Sequence, residues 1–240
     1  AALGFGLSEG GAAGQAMTAM ATPAGWSAGY ALLMVAMWWV MMIAMMLPSA
    51  APTILLHAMV ERRARGATAS GGTLGATVAF TTGYLLIWGV FSIIAAGLQW
   101  AFLAAGWLAP GMLNATSAAF AAGVLIAAGA YQLTGAKRAC LAHCRGPIHY
   151  LTRHWRRGAS GAFCMGLHHG TYCLGCCWAL MGVLFFGGIM NLYWIVGLAC
   201  IVLLEKLAGS GPRLAGAIGV VLVIWGGWFL ANVAMRGPIL

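Results

Sequence analysis

Two long stretches without a single charged residue limit what this chain can fold into. Residues 66–136 and 159–204 contain no Asp, Glu, Lys or Arg. Each stretch exceeds the roughly 20 apolar residues that cross a bilayer once. Only 6% of the 240 residues are charged, against about 25% in an average soluble domain. This distribution excludes an ordinary soluble enzyme and a nucleic-acid-binding module. It predicts an all-α, polytopic bundle of transmembrane helices.

The uncharged stretches and the turns between them predict about six spans in a single integral membrane domain. A break at residues 106–114 divides the first stretch, and Gly187-Gly188 divides the second. Pro48 and Pro52 are expected to break or kink the first span near its inner end. The predicted spans of this domain (residues 1–240) are 26–47, 74–105, 113–135, 163–186, 189–205 and 214–235, with a basic loop at 136–158.

The positions of the basic residues predict how the bundle lies in the membrane. If the loop 136–158 faces the cytoplasm, alternation of the spans places eleven of the twelve Lys and Arg on that side and leaves only Arg236 on the other. This asymmetry follows the positive-inside rule. We therefore expect a multi-pass protein of a bacterial inner (plasma) membrane, with the lipid bilayer as its surroundings and no nucleic-acid partner. The orientation also accounts for the net charge of +9.

The fourth predicted span carries side chains that bind metals. At about 100° per residue, Met165, His169, Cys173 and Cys176 fall on one stripe of a helix, and Cys177 lies at its edge. Polar groups inside a membrane carry a high free-energy cost, so such a cluster indicates a functional site. Thiolate and thioether donors suit Cu(I), and mixed His and Cys sets also suit zinc. Because one helix presents its ligands from one side only, further donors have to come from a neighbouring span or a small molecule.

Two other segments supply candidate donors. Six methionines lie within thirteen residues of the first span, and Met41 and Met45 belong to one continuous face of that helix. Methionine also serves as adaptable helix packing, so this face alone indicates no metal. In the basic loop, Cys140 and Cys144 are four residues apart and share a helical face, and a reducing cytosol would keep them free. The candidate metal ligands are therefore His169, Cys173, Cys176, Cys177, Met165, Met41, Met45, Cys140 and Cys144.

Carboxylates are too few to hold a hard cation. The chain has no Asp and three Glu, which disfavours magnesium and calcium and makes copper the preferred metal, ahead of zinc. Glu205, at the inner end of the fifth span, is expected to pair with an inner-face arginine or to orient the metal site. Motifs for covalent haem, zinc proteases, P-loop nucleotide binding and nucleophilic hydrolases are absent, and no catalytic residue is predicted.

Several short runs of the sequence are distinctive. They are Met-Met-Ile-Ala-Met-Met-Leu-Pro-Ser at 41–49, Cys-Leu-Gly-Cys-Cys-Trp-Ala-Leu-Met at 173–181, Gly-Gly-Ile-Met-Asn at 187–191, and the pair Glu205-Lys206. On these runs the chain resembles a bacterial domain-of-unknown-function family described as predicted metal-binding integral membrane proteins. The resemblance covers roughly residues 26–230 and implies a helical membrane protein that binds a metal.

The same resemblance draws attention to the N-terminal region. Members of that family have one more helix before the Met-rich segment, and the present sequence begins with Ala rather than Met. A seventh, N-terminal span is therefore expected to precede the sequence. The family also tends to carry an acidic residue shortly before the first methionine run, where this chain has Gly29.

Three functions stay open on the sequence alone. The first is handling of Cu(I), by transport or by delivery to a cuproenzyme, through a His/Cys/Met site in the membrane. The second is an accessory or structural subunit of a larger membrane protein complex, in which the cysteines only pack. The third is a membrane thiol oxidoreductase that exchanges electrons with quinone through Cys173, Cys176 and Cys177. Copper handling ranks first because soft donors are concentrated on two of the predicted spans.

Overall fold

The described part of the molecule is built from helices joined by short connections. The computed structural model describes residues 26–65 and 70–236, and the N-terminal residues 1–25 of the predicted domain lie outside it. Apart from one isolated bridge between Leu108 and Ala115, regular structure in the described ranges is helical, which confirms the all-α prediction. The helices are α1 (Ala28–Arg65), α2 (Ser70–Ala104), α3 (Ala118–Gln132), α4 (Gly135–Arg145), α5 (Pro147–His154), α6 (Gly158–Gly182), α7 (Leu184–Gly187), α8 (Leu192–Leu207) and α9 (Gly211–Arg236).

Within the described ranges, four segments are long and apolar enough to cross a membrane. They are α1, α2, α6 together with α7, and α9, and a fifth is reached if α3 and α4, which meet at a 64° bend, form one broken span. The predicted number of about six is not confirmed. The spans predicted at 113–135 and 189–205 correspond to helices of 15 and 16 residues. At 1.5 Å per residue these helices are about 23 and 24 Å long, shorter than a hydrocarbon layer of roughly 30 Å.

The first helix does not end at its two prolines, so the predicted break or kink is not a break. α1 continues through Pro48 and Pro52 for 38 residues. A proline removes a backbone donor, but side chains that bond to the backbone let a helix of this kind continue. Here the Ser49 hydroxyl donates to the Met46 carbonyl at 2.8 Å, and the Tyr84 hydroxyl donates to the same carbonyl at 3.2 Å. These bonds tie the proline region of α1 to α2.

Glycines let the long helices approach one another closely. A Cβ added to Gly166 on α6 would collide with the backbone carbonyl of Phe80 on α2, and one added to Gly83 would collide with the carbonyl of Phe163. A Cβ on Gly129 of α3 would likewise lie only 2.7 Å from a backbone oxygen of α9. Small residues at helix contacts are typical of bundles in lipid, where van der Waals packing drives association. The α2–α6 contact fixes the helix that carries most of the candidate ligands.

The predicted basic loop is itself ordered into two helices, α4 and α5. Thr134 caps α4, its side chain accepting from the Lys137 amide at 3.2 Å. Tyr150 anchors α5 to α6 by donating to the Met165 carbonyl at 2.6 Å. Burial raises the pKa of the Tyr150 phenol above its ordinary value, so this donor stays protonated at neutral pH. Both short helices are therefore held against α6.

Candidate metal site

Four thiols and one thioether come together where α1, α4 and α6 meet. The sulfur cluster consists of Met46 from α1, Cys144 from α4, and Cys173, Cys176 and Cys177 from α6. The Cys144 and Cys176 Sγ atoms are 3.8 Å apart, and Cys177 Sγ lies 3.8 Å from Met46 Sδ. All but the half-buried Cys144 are buried, and all seven cysteines of the chain are free thiols.

The sulfur–sulfur distances are those that a shared metal ion requires. Two sulfurs that each lie about 2.3 Å from one metal, at a tetrahedral or trigonal angle, are roughly 3.8–4.0 Å apart. Across the described residues, no set of three or more His, Cys, Asp or Glu side chains converges as a group able to hold a metal ion. The sulfur cluster instead offers close pairs, one thiol–thiol and one thiol–thioether. Such pairs of soft donors suit Cu(I) better than the harder divalent cations.

A buried ammonium group contacts the centre of the sulfur cluster. Lys206 Nζ, at the end of α8, lies 3.0 Å from Cys173 Sγ and donates to Ser49 Oγ at 2.9 Å. Tyr84 Oη lies 3.1 Å from the same Cys173 Sγ. Donors aimed at a sulfur favour its thiolate form, which is the form that binds metals. Lys206 therefore prepares Cys173 as the anionic member of the cluster, while the single hydroxyl proton of Tyr84 is already donated to the Met46 carbonyl.

The local structure of α6 explains why its thiols converge. Cys176 and Cys177 follow Cys173 by three and four residues, and both thiols donate to the Cys173 carbonyl, at 3.1 and 2.9 Å. Gly175 gives α4 room to approach, because a Cβ at this position would lie 2.8 Å from Cys140 Sγ. The glycine thus brings Cys140 beside α6 and brings Cys144, one turn later, to Cys176.

An ion pair fixes α4 against α8 next to the cluster. Glu205 Oε2 accepts from Lys137 Nζ at 2.6 Å, and Gln132 donates to the other carboxylate oxygen at 2.7 Å. The predicted arginine partner of Glu205 is wrong, because the carboxylate meets a lysine of α4 that is completely buried. Arg145 contacts the backbone instead and donates to the carbonyls of Glu205 and Gly209 at 2.7 and 3.0 Å. These contacts hold the helix that presents Cys144.

Comparison with known protein families identifies the family to which the chain belongs. A family described as PpoB2, copper chaperone, matches residues 35–229. The chain belongs to this family. No curated protein and no solved structure is significantly similar to the chain. The matched range of this copper-chaperone family includes the whole sulfur cluster and Lys206, and the expected relation to a metal-associated family is thereby confirmed.

In this copper-chaperone family member the structure gathers only part of the predicted ligand set. Four predicted cysteines belong to the sulfur cluster and a fifth, Cys140, lies at its edge, while the other predicted residues occupy separate places. Met165 packs in a second apolar cluster around Phe80 and Tyr150, and His169 lies buried between aromatic rings. Met45 is buried in the main core, and Met41 packs against it. Cys140 lies beside Gly175, at the edge of the cluster.

Three residues at the site were not predicted from the sequence. Met46, Lys206 and Tyr84 all contact thiols of the cluster. Met46 belongs to the methionine run but lies off the face that the helical periodicity selected. Lys206 had a sequence signal, since a charge at the end of an otherwise uncharged span requires a partner. Tyr84 had no sequence signal, because nothing in its segment distinguishes it from other aromatic residues of α2.

Proposed function

We propose that this chain is an integral membrane protein that binds Cu(I) as its cargo in the sulfur cluster and delivers it to a cuproenzyme. The observation that carries the proposal is that two close sulfur pairs, Cys144–Cys176 and Cys177–Met46, are brought together from three helices. Soft sulfur donors of this kind select Cu(I). Membership of a family described as copper chaperones is consistent with the same cargo. Delivery requires a site that binds and releases the ion, and α4, a short amphipathic helix, supplies one of the thiols.

The charges around the cluster favour a monovalent ion. Cu(I) bound by two thiolates carries a net charge of −1, which the ammonium of Lys206 would bring to zero. A divalent ion with the same two thiolates would leave the buried site with a net charge of +1. Uncompensated buried charge is costly. Glu205 does not alter this balance, because its carboxylate is already paired with Lys137.

A membrane location is supported by the distribution of charge and apolar surface. Glu61 and Ala64 of α1, Trp155 and Arg157 line one cavity, so the basic end of α1 lies beside the start of α6. The long helices expose many large apolar side chains, more than a soluble monomer carries. Both features fit the proposed inner membrane orientation, with the basic end in the cytoplasm.

The proposal is tested by metal binding to the purified full chain in detergent or nanodiscs. We expect about one Cu(I) per chain to remain bound against a competing Cu(I) chelator, with sulfur as the principal ligand in X-ray absorption spectra. Zinc is expected to bind more weakly. The control is Cys200→Ser, which removes an exposed thiol of α8 outside the cluster. Failure to retain copper, or coordination by nitrogen and oxygen alone, would contradict the proposal.

A second prediction concerns Lys206. Lys206→Leu removes the charge next to Cys173 without adding a sulfur donor. We expect the affinity for Cu(I) to fall about 10–100-fold, as for other residues that orient or polarise a ligand. The thermal midpoint should not fall, because Cys173 takes up a proton when the cation is removed and no uncompensated charge is left buried. Competition titration and thermal unfolding measure the two effects. An unchanged affinity, or a loss of both affinity and stability, would reject the charge-compensating role.

A further inference from the structure

A second set of soft donors lies outside the sulfur cluster, in an open cavity between α5 and α6. The cavity has a volume of about 520 Å³, and its lining includes His154, Arg156, Cys164, Met165 and His168. None of the described residues that line it is acidic. It contains two imidazoles, a thiol and a thioether beside a guanidinium group. This combination of soft donors and positive charge is not used by the sulfur cluster.

The two histidine rings of the cavity lie at a separation that is compatible with a shared ion. Their ring centroids are 4.7 Å apart, close to the roughly 5 Å expected for two imidazoles that share a tetrahedral metal. His154 Nδ1 lies 3.0 Å from the Tyr150 carbonyl and therefore carries the proton. Its Nε2 is left with the free lone pair that a metal needs. A carbonyl that fixes the tautomer in this way is a usual feature of histidine ligands.

A further histidine connects this cavity with the sulfur cluster. His169 follows His168 in the chain but is 2% exposed, and its Nδ1 has no hydrogen-bond partner within the described structure. Its ring lies 5.3 Å from that of Tyr150 and 5.8 Å from that of Tyr84. Tyr84 in turn contacts Cys173. His169 therefore lies between the open cavity and the buried thiols.

We propose that the cavity is a loading site at which an anionic Cu(I)–thiolate complex docks and passes its copper to His154 and His168, on the way to the sulfur cluster. The inference rests on the proposed function. In the proposed orientation the cavity faces the cytosol, where low-molecular-weight thiols carry Cu(I) and bear carboxylates. Arg156 attracts such a carrier, because a guanidinium binds carboxylates in a bidentate manner. The imidazoles then compete for the ion.

The transfer is a ligand exchange without a redox step. A Cu–S bond to the carrier breaks, bonds from copper to imidazole nitrogen form, and copper stays Cu(I) throughout. The carrier sulfur leaves as a thiolate and takes up a proton from water. When the ion reaches the sulfur cluster, the copper–imidazole bonds break and Cu–S bonds form. A protein thiol that enters the reaction protonated gives its proton to water at that point.

The test measures how fast the reduced full chain in nanodiscs takes up copper from two carriers, the anionic Cu(I)–glutathione complex and the cationic Cu(I)–acetonitrile complex. His154→Gln/His168→Gln should load at least about tenfold more slowly from both carriers, yet reach the wild-type copper content and equilibrium affinity. Arg156→Gln should load at least about tenfold more slowly from the anionic carrier only. The matched control is His149→Gln, an exposed histidine of α5 outside the cavity lining.

The outcomes separate this inference from the proposed function. Loading of the double histidine variant at the rate of wild type and His149→Gln would overturn the loading site while leaving the sulfur cluster intact as a copper site. Equal slowing of Arg156→Gln with both carriers would overturn the role of the anionic complex. If the wild type takes up copper from neither carrier, the proposed function fails, and the loading site fails with it. A thermal midpoint equal to wild type shows that each variant is folded.

Discussion

Cys173→Ser is expected to lower the affinity for Cu(I) by more than about a hundredfold. The loss should exceed the 10–100-fold that removal of a supporting partner costs, because serine replaces a direct sulfur ligand by a hydroxyl. Cys173 Sγ is also the atom that contacts both Lys206 and Tyr84. Without it, the ammonium has no anionic sulfur to pair with. Competition titration with a Cu(I) chelator measures the affinity.

Two controls make this first prediction specific. Cys200→Ser removes an exposed thiol that is not part of the cluster and should leave the affinity unchanged. Circular dichroism and thermal unfolding should show that Cys173→Ser is folded, since the two residues differ little in volume. If Cys173→Ser bound Cu(I) as tightly as Cys200→Ser, the sulfur cluster would not be the copper site. The cysteines of α6 would then be packing residues.

The helical periodicity of α6 was enough to predict which of its residues share a face. Cys173, Cys176 and Cys177 do lie together, because steps of three and four residues along one helix are a local property. The same periodicity placed Met165 and His169 on that stripe, but they lie two and one turns before Cys173, where α2 and α5 cover them. The periodicity of a helix therefore predicts on which side of the helix a side chain lies, but not which neighbouring helices cover it.

Contacts between helices could not be predicted in the same way. The approach of Cys144 to Cys176 depends on the bend between α3 and α4 and on the space left by Gly175. The approach of Lys206 to Cys173 depends on where α8 ends relative to α6. Neither position follows from local periodicity, since each is set by packing between segments distant in the chain. The sequence could show that Glu205 needed a basic partner, but not which one.

Glu205→Leu is expected to have the largest effect on stability. Glu205 and Lys137 form an ion pair at 2.6 Å whose side chains are 1% and 0% exposed. Removing one partner leaves the other charge buried without compensation, at a cost of about 3–5 kcal/mol. Because Lys137 belongs to α4, the loss should loosen the helix that presents Cys144 and so weaken Cu(I) binding as well. Equilibrium unfolding in mixed micelles and copper titration measure the two effects.

The double variant Glu205→Leu/Lys137→Leu decides whether the charge pair itself is responsible. Replacing both charges by apolar side chains of similar volume is often neutral or stabilising, so most of the lost stability and copper affinity should return. Arg153→Gln, which removes an exposed charge of α5, should change the free energy of unfolding by less than about 0.5 kcal/mol. If the double variant were as unstable as Glu205→Leu, the carboxylate would act through its bond with Gln132 rather than through the pair. Recovery of stability without recovery of copper binding would instead show that the carboxylate orients the metal site, as the sequence allowed.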